Sequence, residues 1–144
     1  MTQPAVDDVT LALVTLAAAI ADGDPTTIRH GVDVVLSAGV PPLAVDELVL
    51  QSVLTVGWPR ALVAAGVWRA AIGMPAVNAD GDGDEDSHRE WTRRGEVTCR
   101  VIYGEHYAKL RDNVRRLHPA LDAWMVTEGY GRTLSRPGLA LAQR

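Results

Sequence analysis

At three successive joints in the first 60 residues a glycine is followed within three positions by a proline: Gly23 and Pro25, Gly39 and Pro42, Gly57 and Pro59. Glycine closes a helix by taking a left-handed conformation, and proline opens the next because its φ is already helical. The segments between these joints are apolar and 12 to 16 residues long, the length of helices rather than strands. This punctuation dictates a series of short helices joined by tight turns.

The apolar spacing within each segment agrees. Val9, Leu13, Leu16 and Ile20 recur at steps of four, three and four, which puts them on one face of a helix over about 6–21. Asp7 and Asp8 sit at its positive end. Asp24 suits the N-cap of a second helix over about 25–37, with Ile28, Val32, Val35 and Leu36 as its stripe. A third helix is expected from Pro42 to Gly57. Its β-branched residues would suit a strand, but its length and glycine-bounded end favour a helix. A fourth runs over about 59–72, with Trp58 as a hydrophobic staple and Ala64-Ala65-Gly66 as a patch for close approach.

The pattern then breaks. Residues 74–87 contain the acidic, glycine-spaced run Ala79 to Asp86, which has nothing to bury and reads as a surface loop. A fifth helix is expected over 88–103, facing inward through Trp91, Val97, Val101 and Ile102. A sixth is expected on Tyr107, Leu110, Val114 and Leu117, with Lys109, Arg111, Arg115 and Arg116 on its other side. A seventh, from Pro119 to Gly129, turns Leu121, Trp124 and Met125 inward. Residues 130–144 read as an extended tail. The expectation is one all-α domain, a bundle of about six to seven helices.

Bulk properties exclude several classes. The net charge of −4 disfavours a nucleic-acid partner. The one cysteine rules out a disulfide within the chain and any all-cysteine metal site. The N-terminus lacks the basic start of a signal peptide, and the apolar run to Ala21 is too short to span a bilayer. A cytoplasmic protein with no membrane partner is expected. No cofactor or metal is called for. Asn78, Asp80, Asp82, Gly83 and Asp86 imitate part of a calcium loop, but its twelfth position is Arg89 where a glutamate is required.

Two stretches carry a resemblance. The first is Gly39-Val40-Pro41-Pro42, Asp46-Glu47-Leu48-Val49-Leu50-Gln51 and Val56-Gly57-Trp58-Pro59-Arg60-Ala61. The second comprises Arg94-Gly95-Glu96, Cys99 to Gly104, Leu117 to Met125, Glu128 to Arg132 and Leu134 to Leu139. The first resembles the helical repeat of the carboxymuconolactone decarboxylase family. The second resembles the linker between two tandem repeats, and Leu134 to Arg144 resembles the start of a second repeat. The resemblance implies an alkylhydroperoxidase-D-like all-α fold that self-associates, or pairs with a separately encoded second repeat.

It also implies where chemistry would lie. Glu47 and Gln51 match family positions and, four apart, share a helix face, as an acid/base and its hydrogen-bonding partner would. A dipole carboxylate and a solvated amide explain them as well. The family's reductases use a Cys-x-x-Cys pair, and Cys99 stands alone. Decarboxylase-like members carry a histidine at the position counted back to Gly31; His30 is one residue off. Cys99, beside Arg100, is a candidate redox thiol or a small buried residue. His106, between Tyr103 and Tyr107, is a candidate proton carrier or surface polarity. Arg132, Arg136 and Arg144 are candidates for holding a carboxylate, and His118 shapes the break before Pro119.

Three functions follow in order. The first is a non-redox subunit of a homo- or hetero-oligomer. The second is a cofactor-free lyase or decarboxylase acting on a lactone or small carboxylic acid through Glu47. The third is a peroxidase-like, peroxiredoxin-like antioxidant protein using Cys99.

Overall fold

In a computed structural model of the chain, residues 6–73 and 85–136 are described, the side chains of Glu85 and Asp86 excepted. The elements are α1 (Asp8–Asp22), α2 (Pro25–Ser37), α3 (Pro42–Val56), α4 (Trp58–Ile72), α5 (Glu85–Tyr103), α6 (Tyr107–Leu117) and α7 (Pro119–Trp124). A 3₁₀ turn, Gly104–His106, joins α5 to α6, and a π-helical segment, Met125–Leu134, continues α7. No strand occurs among the described residues, so the all-α expectation holds. The acidic run over 74–84 lies outside the described residues.

The chain divides into two compact units, residues 1–77 and 78–144. Each unit has its own core.

In the first unit the joints behave as their composition dictates. Asp7 caps α1 by accepting from the Thr10 amide at 2.9 Å, and Asp24 caps α2 by accepting from the Thr27 amide at 2.8 Å. Gly39 takes φ +66°, which lets the Val40 amide donate back to the Val35 carbonyl at 3.0 Å and close α2. Leu16, Ile20, Ile28, Val32, Val35 and Val45 are fully buried between α1, α2 and α3, with Ala64 and Trp68 of α4 joining them. Each such aliphatic side chain contributes about 2 kcal/mol by leaving water.

The second unit corrects three expectations. The inward face of α5 is Trp91, Gly95 and Cys99, whereas Val97, Val101 and Ile102 are exposed. Helical period alone allows either face; the close crossing of α5 with the π-helical segment at Gly95 and Gly131 selects the first. The seventh helix ends at Trp124, not Gly129, and Leu121 and Trp124 face out while Asp122 and Val126 face in. Residues 130–134, expected to be extended, are π-helical, with the Thr133 hydroxyl donating to the Glu128 carbonyl five residues back at 2.8 Å. Residues 137–144 lie outside the described residues. His118 does mark the break before α7, its Nδ1 accepting from the Ala120 amide at 3.1 Å.

Candidate functional site

In the first unit α3 and α4 meet across a cleft of about 220 Å³. Val49, Leu50 and Val53 form one wall, and Ala61, Leu62 and Ala65 the other. Trp58, 65 % exposed, and Leu62, 61 % exposed, belong to this lining, with Leu54 of α3 exposed nearby in sequence.

Three polar side chains lie among these apolar ones. Trp68 and Arg69, consecutive on α4, converge on one oxygen of Asp46 from α3. The Trp68 indole Nε1 donates to Asp46 Oδ1 at 2.7 Å, and Arg69 Nη2 donates to the same oxygen at 2.8 Å. Arg69 Nη1 is buried and meets no acceptor among the described residues. The charge of the pair is balanced within the protein, but one guanidinium nitrogen is not satisfied.

Glu47, the neighbour of Asp46, turns away from this cleft. It is 6 % exposed and buried along α3 with Val45, Val49 and Ser52. Its carboxylate is engaged by other groups rather than free. Gln51, one turn on, is half-buried. Neither lines the cleft.

Gly31 sits where α1 and α2 approach closely. A Cβ there would lie 3.1 Å from the Cα of Leu16 and 3.2 Å from the Cβ of Ala19. Leu16 and Ala19 of α1 would have to give by a few tenths of an ångström to admit even a methyl group there. His30 points to an exposed groove between α1 and α2 with Asp33 and Ser37.

Cys99 and His106 belong to the second unit. Cys99 is fully buried beside Tyr107 and Val126, with Tyr103 and Tyr130 packed against this cluster. Burial pushes its thiol up to about 11, against the opposing pull of Arg111 and a hydrogen bond with Tyr107. The thiolate that redox chemistry needs is thereby disfavoured. His106 is exposed in the 3₁₀ turn, 3.8 Å from the Glu105 carboxylate. Tyr103 and Tyr130 hydrogen-bond through their hydroxyls with their rings edge to face, and burial is the main cause raising Tyr130 above the usual phenol range.

The strongest polar cluster of the second unit centres on Asp122, which the sequence reading passed over. Arg111 Nε donates to Asp122 Oδ1 and its Nη2 to Oδ2 at 2.9 Å, while Arg115 Nη2 donates to Oδ2 at 2.9 Å. The hydrogen bonds from Arg111 hold the Asp122 carboxyl below its usual range. Arg111 Nη1 also donates to the Tyr107 hydroxyl at 2.8 Å, and the guanidinium groups of Arg100 and Arg111 lie 5.3 and 5.6 Å from the Tyr107 ring centre. A recess of about 410 Å³ lies here between Glu96, Arg100, Tyr107, Arg111 and Arg115. Its cations are spent on internal carboxylates, so the arrangement fixes α7 against α6 rather than presenting a free anion site.

Arg132 lies 4.3 Å from the Trp91 ring centre and pairs with Glu128 at 3.2 Å; Arg136 is likewise engaged. Arg144 lies outside the described residues. No cluster of His, Cys, Asp or Glu fit to hold a metal occurs among the described residues, and no described helix is long and apolar enough to cross a membrane.

No local pattern marks Asp46, Trp68 and Arg69 as a unit. Asp46 and Arg69 are 23 positions apart, and only the packing of α3 on α4 brings them together. Arg111, expected on the side of the sixth helix away from its apolar stripe, is drawn inward by Asp122.

The first unit thus defines an all-α helical module whose Gly–Pro joints set four helices. Residues 1–70, just under half of the chain, match the sequence model of the Carboxymuconolactone decarboxylase family, and this stretch is similar to that family. The match stops short of α5, so the linker-like second stretch lies beyond it. No curated protein and no solved structure gives a significant match.

Proposed function

We propose that this protein is a non-redox helical subunit that acts by assembling with further copies of itself through the α3–α4 face. The observation that carries this reading is the exposure of Trp58 and Leu62 on one apolar cleft of a small unit. Large apolar side chains grouped on one face are a mark of association surfaces. The tight packing of Leu16 and Ala19 against Gly31 and the burial that raises the Cys99 thiol both favour an assembly role over histidine or thiol chemistry.

Light scattering coupled to size exclusion tests this. The wild-type chain is expected to form a defined oligomer, and Trp58→Ser with Leu62→Ser to shift it toward monomer while the helical circular dichroism stays unchanged. A wild-type chain that remains monomeric at high concentration overturns the reading.

A second reading is favoured by the burial of Glu47 with Gln51 one turn away. Here the protein is a cofactor-free lyase acting on a lactone or small carboxylic acid, with Glu47 moving the proton. Glu47→Gln should abolish turnover of such a substrate without changing the oligomer, and unaltered turnover excludes Glu47 from that role.

A further inference from the structure

The α1–α2 groove combines apolar and acidic lining. Leu11, Ala12, Val34 and Ala38 border it together with Asp8 of α1 and Asp33 of α2, around a volume of about 530 Å³. Leu11 is 57 % exposed there. Neither carboxylate pairs with a cation among the described residues. Residues 1–77 hold seven carboxylates against three arginines, so the chain's charge of −4 falls within the first unit.

Helix packing sets the distance between the two carboxylates. α1 and α2 are joined by two residues and pack on each other, which makes them antiparallel. A Cβ on Gly31 would lie 3.1 Å from the Cα of Leu16, so these positions are level. Asp33, two residues on, is then level with about Val14, and Asp8 lies six residues away, roughly 9 Å along the axis.

The complement is on α6. Lys109, Asn113, Arg116 and Leu117 fall at i, i+4, i+7 and i+8, one face of the helix, and all four are exposed. Lys109 and Arg116 pair with no carboxylate among the described residues. Asp112, between them in sequence, is engaged by Arg115 at 3.5 Å. Seven residues separate the two cations, roughly 10 Å along the axis, which matches the spacing of the carboxylates. Leu117 is 79 % exposed. Matched charges orient such a contact, and exposed apolar side chains are the surface it covers. An anionic lipid surface would suit α6 and be repelled by the groove; a second copy of the chain satisfies both.

We infer that the α1–α2 groove is a docking site for α6 of a second copy, with Asp8 and Asp33 facing Lys109 and Arg116 and with Leu117 against the apolar lining. Groove and helix are unlike surfaces, and each copy offers one of each. The contact uses no residue of the α3–α4 face, so it goes beyond the assembly proposed above and stands without it.

Intermolecular paramagnetic broadening tests this in chains carrying Trp58→Ser and Leu62→Ser, where the α3–α4 face contributes nothing. One copy is ¹⁵N-labelled. The other is unlabelled and bears a nitroxide on Glu105→Cys, one turn before Lys109; the same treatment without Glu105→Cys is the blank. At about 0.02 M salt the Leu11 and Val34 amides of the labelled copy should lose at least roughly half their intensity, and regain it at about 0.5 M salt, where the charges are screened. Lys109→Glu with Arg116→Glu in the nitroxide copy should remove the loss. Asp8→Lys with Asp33→Lys in the labelled copy should restore it against that variant, a rescue that misfolding of either chain cannot produce. Absence of the loss, a loss indifferent to Lys109→Glu with Arg116→Glu, a failed rescue, or broadening spread over amides outside the groove overturns the inference.

Discussion

Gly95 of α5 and Gly131 of the π-helical segment mark a crossing of two backbones. A Cβ on Gly95 would lie 1.9 Å from the Val126 carbonyl oxygen, and one on Gly131 would lie 1.8 Å from that of Trp91. The atoms in the way are main chain, so no rotamer change relieves the clash. Around the crossing, Thr92 and Thr127 hydroxyls hydrogen-bond at 3.0 Å and Thr98 and Ser135 at 2.6 Å.

Gly95→Ala and Gly131→Ala should therefore each destabilise the second unit by about 3 kcal/mol, the upper end for forcing extra volume into a packed contact. Urea unfolding followed by circular dichroism measures it. A change below about 1 kcal/mol, as at ordinary surface sites, would mean the helices part easily.

Asp122→Ala leaves the half-buried Arg111 with a single carboxylate contact, the longer one of 3.4 Å to Glu96. Breaking one side of a buried pair costs about 3–5 kcal/mol, whereas replacing both partners with apolar residues is far less harmful. Asp122→Leu with Arg111→Met should recover much of the loss in the same urea experiment. Arg115, which also leans on Asp122, limits the recovery.

The same carboxyl sets an acid limit. Its folded-state pKa lies below the ordinary value of 3.8, so its stabilising effect is complete above that value and disappears as pH falls through the depressed one. Wild type should lose stability in this acid window more steeply than Asp122→Asn.

Cys99 sets an alkaline limit with the opposite sign. The folded thiol keeps its proton to about 11, whereas the unfolded thiol releases it near 9.0, so stability falls as pH rises across that interval. Cys99→Ser should flatten this fall, leaving the share owed to Tyr107 and Tyr130, whose phenols are also raised. At neutral pH iodoacetamide should label native Cys99 at least roughly a hundredfold more slowly than a free thiol. Rapid labelling would reopen the redox reading.

Gly31→His places a histidine at the position where the resemblance led one to be expected. Because Leu16 and Ala19 already occupy the space, it should cost about 3 kcal/mol or more in thermal or urea unfolding. A stable Gly31→His protein would show that α1 yields, and would make the variant worth assaying for turnover.

The first unit was legible in the sequence because its signals are local. Asp24, Gly39 and Pro42 each act within a few residues, so the helix ends fell close to where they were expected. The second unit was less so. Trp91, Gly95 and Cys99 recur every four residues, but two of them are small, and the larger Val97 and Val101 drew attention to the wrong face. Asp122 between Leu121 and Trp124 looked like the polar interruption of an apolar stripe, when it is the residue that binds Arg111 and Arg115. The Asp46–Arg69 pair left no trace at all, since neither position constrains the other until α3 and α4 pack.

The π-helical stretch counts its faces in fives: Val126 and Gly131, both against α5, are five residues apart. An ordinary helix brings residues four apart to the same side. Excising Gly129 would turn the wide winding into the standard one and leave that pair still aligned toward its neighbour. The second unit therefore holds a spare residue, a length it has room to shed while the crossing survives.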